Sequence, residues 1–210
     1  MNKFVTNSIA VSLLLASQAA TAGLIVTENN NVADLSAVIE GDGIDITGGT
    51  TTGASSAFGI FSGGISAGIG IENGIMLSTG NATNAIGPNS SAGTSTNNGT
   101  AGNALLDGLN AGSTKDAAVY TFDFDTAGGD LFFNYVFASE EYPEYVGANF
   151  NDVFGFFIDG INIALIPGTT DYVSINNVNS GNNSSYYNDN SGDLFDIEYD
   201  GFTSVFSAQA

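Results

Sequence analysis

Apolar and polar residues alternate along this chain in short runs, the pattern of β-strands. The cleanest run is 118–125, where Tyr120, Phe122 and Phe124 share one face and Thr121, Asp123 and Asp125 the other. That spacing predicts a half-buried antiparallel strand. The run 131–138 follows Gly128, Gly129 and Asp130, a hairpin-type turn. It is apolar on both faces, with Leu131, Phe133, Tyr135 and Phe137 on one and Phe132 and Val136 on the other. The nearly continuous apolar run 153–158 reads as a central strand. Further strands are expected at 24–27, 44–52, 57–61, 74–78, 162–166, 172–175, 194–199 and 202–207.

Helical spacing is rare. Asn30 and Asn31 are candidate N-caps for a short helix over 32–39, with Leu35, Val38 and Ile39 on one face and Gly41 and Gly43 beyond its end. A turn or two of helix is expected at 104–109. Two long stretches, 80–102 and 177–192, are polar. The fold class is therefore all-β, an antiparallel β-sandwich with one or two short helices. No repeat argues for a solenoid or propeller.

The first 22 residues have their own pattern. Lys3, the apolar run 9–16 and Ala20-Thr21-Ala22 match the three parts of a secretory signal peptide, which leaves 23–210 as a single domain. No later segment reads as a membrane span, so the expected setting is secreted or at the bacterial cell surface.

Composition narrows the chemistry. The chain has no His and no Cys, which excludes imidazole and thiolate metal sites and Ser-His or Cys-His catalysis. Two basic residues stand against 22 acidic ones, a formal charge of −20, so nucleic-acid binding is excluded for want of cations. Beyond the leader, Lys115 is the only cation. With 15 Phe and 8 Tyr, the chain is too aromatic for a disordered acidic segment.

The acid is concentrated in 139–152, between two of the most apolar runs. Glu140, Glu141, Glu144 and Asp152 lie there with Asn149 and Asn151. Crowded carboxylates without basic neighbours need a counter-ion or raised pKa values. Calcium favours such oxygen donors. Glu140, Glu141 and Asp152, with Asn151 as a further donor, are the candidate calcium ligands; a solvated acidic loop is the alternative. Adjacent Glu140 and Glu141 would point to opposite faces of a strand, which makes them a poor glycosidase pair. Tyr142 and Tyr145 are candidate ligand-stacking residues, with a tyrosine lid over the core as the alternative. The segment 188–193 fits an Asx-rich turn better than an EF-hand loop.

At Phe133-Asn134-Tyr135-Val136-Phe137-Ala138-Ser139-Glu140-Glu141-Tyr142-Pro143-Glu144-Tyr145, then Phe150-Asn151-Asp152-Val153-Phe154-Gly155-Phe156-Phe157, the chain strongly resembles the choice-of-anchor L domain of exported bacterial proteins. Gly74-Ile75-Met76-Leu77-Ser78 upstream and Tyr199-Asp200-Gly201-Phe202-Thr203 downstream extend the likeness to about 30–208. The resemblance implies a jelly-roll-like extracytoplasmic domain, with varied carboxy-terminal anchors and no catalytic activity to carry over. Such domains usually continue with another strand pair and an anchor, so the last strands are expected to be missing here. The expected function is an adhesive or matrix role, stabilised by Ca²⁺ and directed at a glycan or surface protein. The alternatives are a structural biofilm component and, less favoured, a glycan hydrolase. No enzyme activity is expected.

Overall fold

A computed structural model describes residues 23–110 and 112–210. The leader expected at 1–22 lies outside the described residues. In chain order the elements are β1 (Ile25–Glu28), α1 (Val32–Ile39), β2 (Ile44–Thr52), β3 (Phe58–Ser62), α2 (Gly64–Ala67), β4 (Asn73–Leu77), α3 (Ala104–Asn110) and β5 (Val119–Thr126). There follow β6 (Phe132–Tyr135), β7 (Ala138–Ser139), β8 (Val153–Phe154), β9 (Phe157–Ile158), β10 (Ile161–Asn162), β11 (Val173–Ser174), β12 (Tyr187–Asp189), β13 (Gly201–Thr203) and β14 (Phe206–Gln209). Every strand pairing is antiparallel. The fold is all-β, as expected, but it uses several small sheets and three short helices. Among the described residues, no helix is long and apolar enough to cross a membrane.

Helix α1 begins where the sequence places it. The Asn31 side chain accepts hydrogen bonds from the N–H groups of Ala33 and Asp34, and Leu35 is buried beneath the helix. The Thr-rich β2 pairs with β5 along most of its length, with a register shift between Ile46 and Gly48. The β5 alternation is as predicted: Tyr120, Phe122 and Phe124 are half-buried, while Thr121, Asp123 and Asp125 are exposed.

The turn at 128–130 does not make a hairpin. Strand β5 pairs with β2, and β6 pairs with β14. A strand with one polar face suits the exposed ribbon, whereas one apolar on both faces suits the interior. The run 131–138 also breaks, because Phe137 N–H donates to the Thr203 hydroxyl at 3.1 Å rather than to a ladder carbonyl. Its two halves, β6 and β7, join different sheets. The run 153–158 breaks at Gly155-Phe156, where Phe156 N–H donates to Asn162 Oδ1 at 3.1 Å. Beyond that break, Asp159 and Gly160 both have positive φ, 50° and 81°, and close the tight β9–β10 hairpin. The stretch 194–199, expected as a strand, forms only an isolated bridge from Ile197 to Ile86.

The three-stranded sheet β12–β13–β7 lies between two core clusters. Phe202 and Ala138, opposite each other in register, face one cluster with Leu24, Val26, Phe61 and Ile197. On the other side Tyr142 and Tyr187 close over Gly201, where a Cβ would lie 2.7 Å from the Tyr187 ring and 2.9 Å from Tyr142 Cβ. That second cluster contains Tyr135, Phe137, Ile166, Val173, Ile175 and Phe206. Gly201 is thus required by close approach rather than by backbone angle.

Candidate functional site

The acidic segment leaves β7 at Ser139. Gly201 is the register partner of Ser139, and Glu140 and Asp200 lie just beyond that last pair of the ladder. Glu140 and Glu141 stand in the turn that follows β7, and their surroundings differ. Glu140 meets Asp200 and Glu198, while Glu141 meets Asp152 and Glu144. Asp152 accepts the Ser139 hydroxyl at 2.7 Å, and the same hydroxyl oxygen accepts Glu141 N–H at 3.0 Å. Asn151 Oδ1 accepts Asn176 N–H at 3.0 Å, which ties the acidic loop to the segment after β11.

The four predicted calcium ligands are therefore divided. Glu141 and Asp152 form one group, Asn151 anchors a neighbouring loop, and Glu140 belongs with two acids from the carboxy-terminal segment. Among the described residues, no three acidic side chains form a ready-made metal cage. Tyr142 is also corrected. Its ring is fully buried and its hydroxyl donates to the Val178 carbonyl at 2.5 Å, so it is a core residue. The loop turns inward there because a large ring finds its best burial over Gly201. Tyr145, by contrast, is 43% exposed and packs edge-on against exposed Phe150, ring centroids 5.0 Å apart.

Glu198 lies within the 194–199 run read as a strand and Asp200 just beyond it, so the sequence does not place either among the candidate calcium ligands. Both are buried, at 4% and 2% exposure. Their partners come from the long polar stretch 80–102, which crosses them as a clasp. Ser90 N–H and Oγ donate to Glu198, as does the Thr94 hydroxyl. Thr94 N–H donates to Glu140 Oε1 at 2.9 Å, and Asn89 Nδ2 donates to Asp200 Oδ1 at 2.7 Å. The remaining oxygens, Glu140 Oε2 and Asp200 Oδ2, are buried without a hydrogen-bond partner. The buried Tyr187 hydroxyl also lacks one and feels the Asp200 charge.

The electrostatics follow. Burial, then the charges of Asp200 and Glu198, push the Glu140 carboxyl up from 4.5 to about 7 against hydrogen bonds from the Thr94 and Asp200 backbone N–H groups. Burial likewise raises Asp200, Asp152 and Glu141. An acid with a raised folded-state pKa holds its proton more tightly in the native protein than in the unfolded chain. Its contribution to stability is thus full below about pH 4.5 and is lost as pH rises through about 7. In metal-free buffer the protein is expected to be more stable at pH 5 than at pH 8. Glu140 contributes about 1 kcal/mol of that difference once screening of its exposed part is allowed for. Urea midpoints at the two pH values measure it, and equal midpoints would refute it.

No curated protein and no solved structure matches this chain. A family model, the choice-of-anchor L domain, matches residues 20–210, nearly the whole length, including the acidic loop and the segments that carry Glu140 and Asp200. The chain belongs to the choice-of-anchor L domain family of bacterial surface or secreted proteins.

Proposed function

We propose that this domain is a secreted or surface-displayed adhesive or matrix module, and not an enzyme, whose contact surface is the tip of the acidic loop. The observation that carries this reading is the Tyr145–Phe150 pair. Phe150 is 59% exposed, and its ring meets Tyr145 at 72° outside the core clusters. Two exposed aromatic rings beside carboxylates offer apolar faces for a sugar ring or protein side chain and acceptors for its hydroxyl or amide groups. A hard dication belongs to the same reading as a structural ion, because the net charge of −20 opposes compaction.

A glycan array and a pull-down from bacterial surface extracts test the ligand. The wild-type protein is expected to bind, and the Tyr145→Ser, Phe150→Ser double variant to lose at least about tenfold in affinity, as for hot-spot aromatics. The two substitutions lie outside the core and are expected to leave the melting temperature within about 2 °C. Binding that survives the double substitution would remove the loop from the reading. Failure of the wild-type protein to bind in either assay would leave a structural matrix component in its place.

A further inference from the structure

Glu140 and Asp200 lie one residue beyond the last paired positions of β7 and β13, near enough for the Asp200 charge to act on the Glu140 carboxyl, and like charges repel. Both carboxylates are held in place by loop donors, and each keeps one buried oxygen without a well-formed hydrogen bond, although the Asp200 backbone N–H also approaches the Glu140 carboxylate. Asp200 is 98% removed from solvent by its 2% exposure, so bulk water does not serve its free oxygen. The third acid of the group is not available, since Ser90 and Thr94 occupy both Glu198 oxygens. Two interacting buried carboxylates, each with an unsatisfied oxygen, cost free energy until a cation or proton meets them. Lys115 is the only basic residue among those described, and its backbone is bridged to Ala101.

We propose that Glu140 Oε2 and Asp200 Oδ2 hold a hard divalent cation, calcium in an extracytoplasmic setting, beneath the 80–102 clasp. Two carboxylates with neutral oxygens and water completing the shell is a usual arrangement for such ions. It accounts for the absence of a three-acid cage among the described residues, because Glu198 spends its oxygens on the loop instead. The ion would tie β7, the segment before β13 and the clasp together, in a domain with no disulfide. This inference rests on the expectation that a dication stabilises the domain, and it moves the site away from Glu141, Asn151 and Asp152.

Calorimetric titration and melting with calcium or EDTA, on the purified protein, test both levels. Wild type is expected to bind calcium in the range of about 10⁻⁴–10⁻³ M and to melt higher in its presence. Glu140→Gln and Asp200→Asn are each expected to weaken binding at least about tenfold by reducing ligand charge. Asp152→Asn and the exposed-site variant Asp125→Asn are expected to retain it. Glu140→Gln also removes a buried charge, so in EDTA it is expected to melt at or above wild type. That result separates ligand loss from misfolding. Calcium binding that persists in Glu140→Gln and Asp200→Asn but is lost in Asp152→Asn would overturn this site while keeping the structural ion. No heat and no thermal shift in wild type would overturn both.

Discussion

Phe206→Ala is expected to lower the unfolding free energy by about 3–5 kcal/mol, the range for removing a buried aromatic ring. Phe206 is 1% exposed, in register with Tyr135 across the β6–β14 ladder. Its ring meets Tyr135 edge-on at 5.8 Å and Tyr186 edge-on at 5.3 Å. Those tyrosines come from distant parts of the chain, and neither can move into the vacated space without leaving its own packing. The cavity term therefore adds to the transfer term instead of relaxing away. Domains of this size are stable by about 5–15 kcal/mol, so the variant stands close to unfolding at physiological temperature. Urea denaturation followed by near- and far-ultraviolet circular dichroism measures the loss. On the same ladder Phe132, 62% exposed opposite Gln209, is the control, and Phe132→Ala is expected to shift stability by no more than about 0.5 kcal/mol. A loss below about 1 kcal/mol for Phe206→Ala would mean that β14 is not part of the cooperative core.

Period and cap chemistry located the local elements well. The residues 32–39 and 44–52 form α1 and β2 with the expected bounds, because Asn31 and the Thr-rich alternation act over a few positions. Pairing was less legible. Gly128 and Gly129 look like a hairpin turn, but the choice of partner for β5 is decided by which faces are buried, a property of the whole domain. The broken runs have side-chain causes. Asn162 and Thr203 supply hydrogen bonds that compete with the ladder, and neither advertises this in its own neighbourhood. One signal was present and passed over: Asp159-Gly160 between apolar pairs is a strong tight-hairpin signature.

The candidate site was half legible. Alternation anticipates that Glu140 and Glu141 diverge, although in the fold both stand in the turn after β7 and not in a strand. That Glu140 meets Glu198 and Asp200 depends on a cross-strand register some sixty residues away, which a local acidic cluster cannot reveal. The polar stretch 80–102 reads as a surface loop because its donors serve acids elsewhere in the chain, and only the fold brings Asn89, Ser90 and Thr94 to them. Tyr142 and Tyr145 have the same residue type three positions apart and opposite fates, one sealed over Gly201 and one at the loop tip.

The segment that presents those acids has its own keystone. Asn190→Ala is expected to cost about 2–4 kcal/mol, large for a polar residue in a loop. Asn190 is fully buried. Its Nδ2 donates to the carbonyls of Ile197 and Tyr199, both at 2.9 Å, and its Oδ1 accepts Phe195 N–H at 2.8 Å. One side chain thus satisfies three backbone groups of the irregular stretch that replaces the expected 194–199 strand. Alanine leaves those groups without partners, each at about 1–3 kcal/mol before water relieves some of the loss. Asn190→Asp keeps the shape but turns both donor positions into acceptors and adds charge near Asp200, so it is expected to be worse than alanine at pH 8 and to recover towards it at pH 5. Hydrogen exchange at Phe195 N–H reports the local effect directly, with loss of protection expected in both variants. Because Glu198 and Asp200 ride on this stretch, the proposed calcium site is expected to weaken with it although Asn190 is not one of its ligands. Retained affinity in a variant with Phe195 unprotected would show that the acids are held in place by the 80–102 clasp alone.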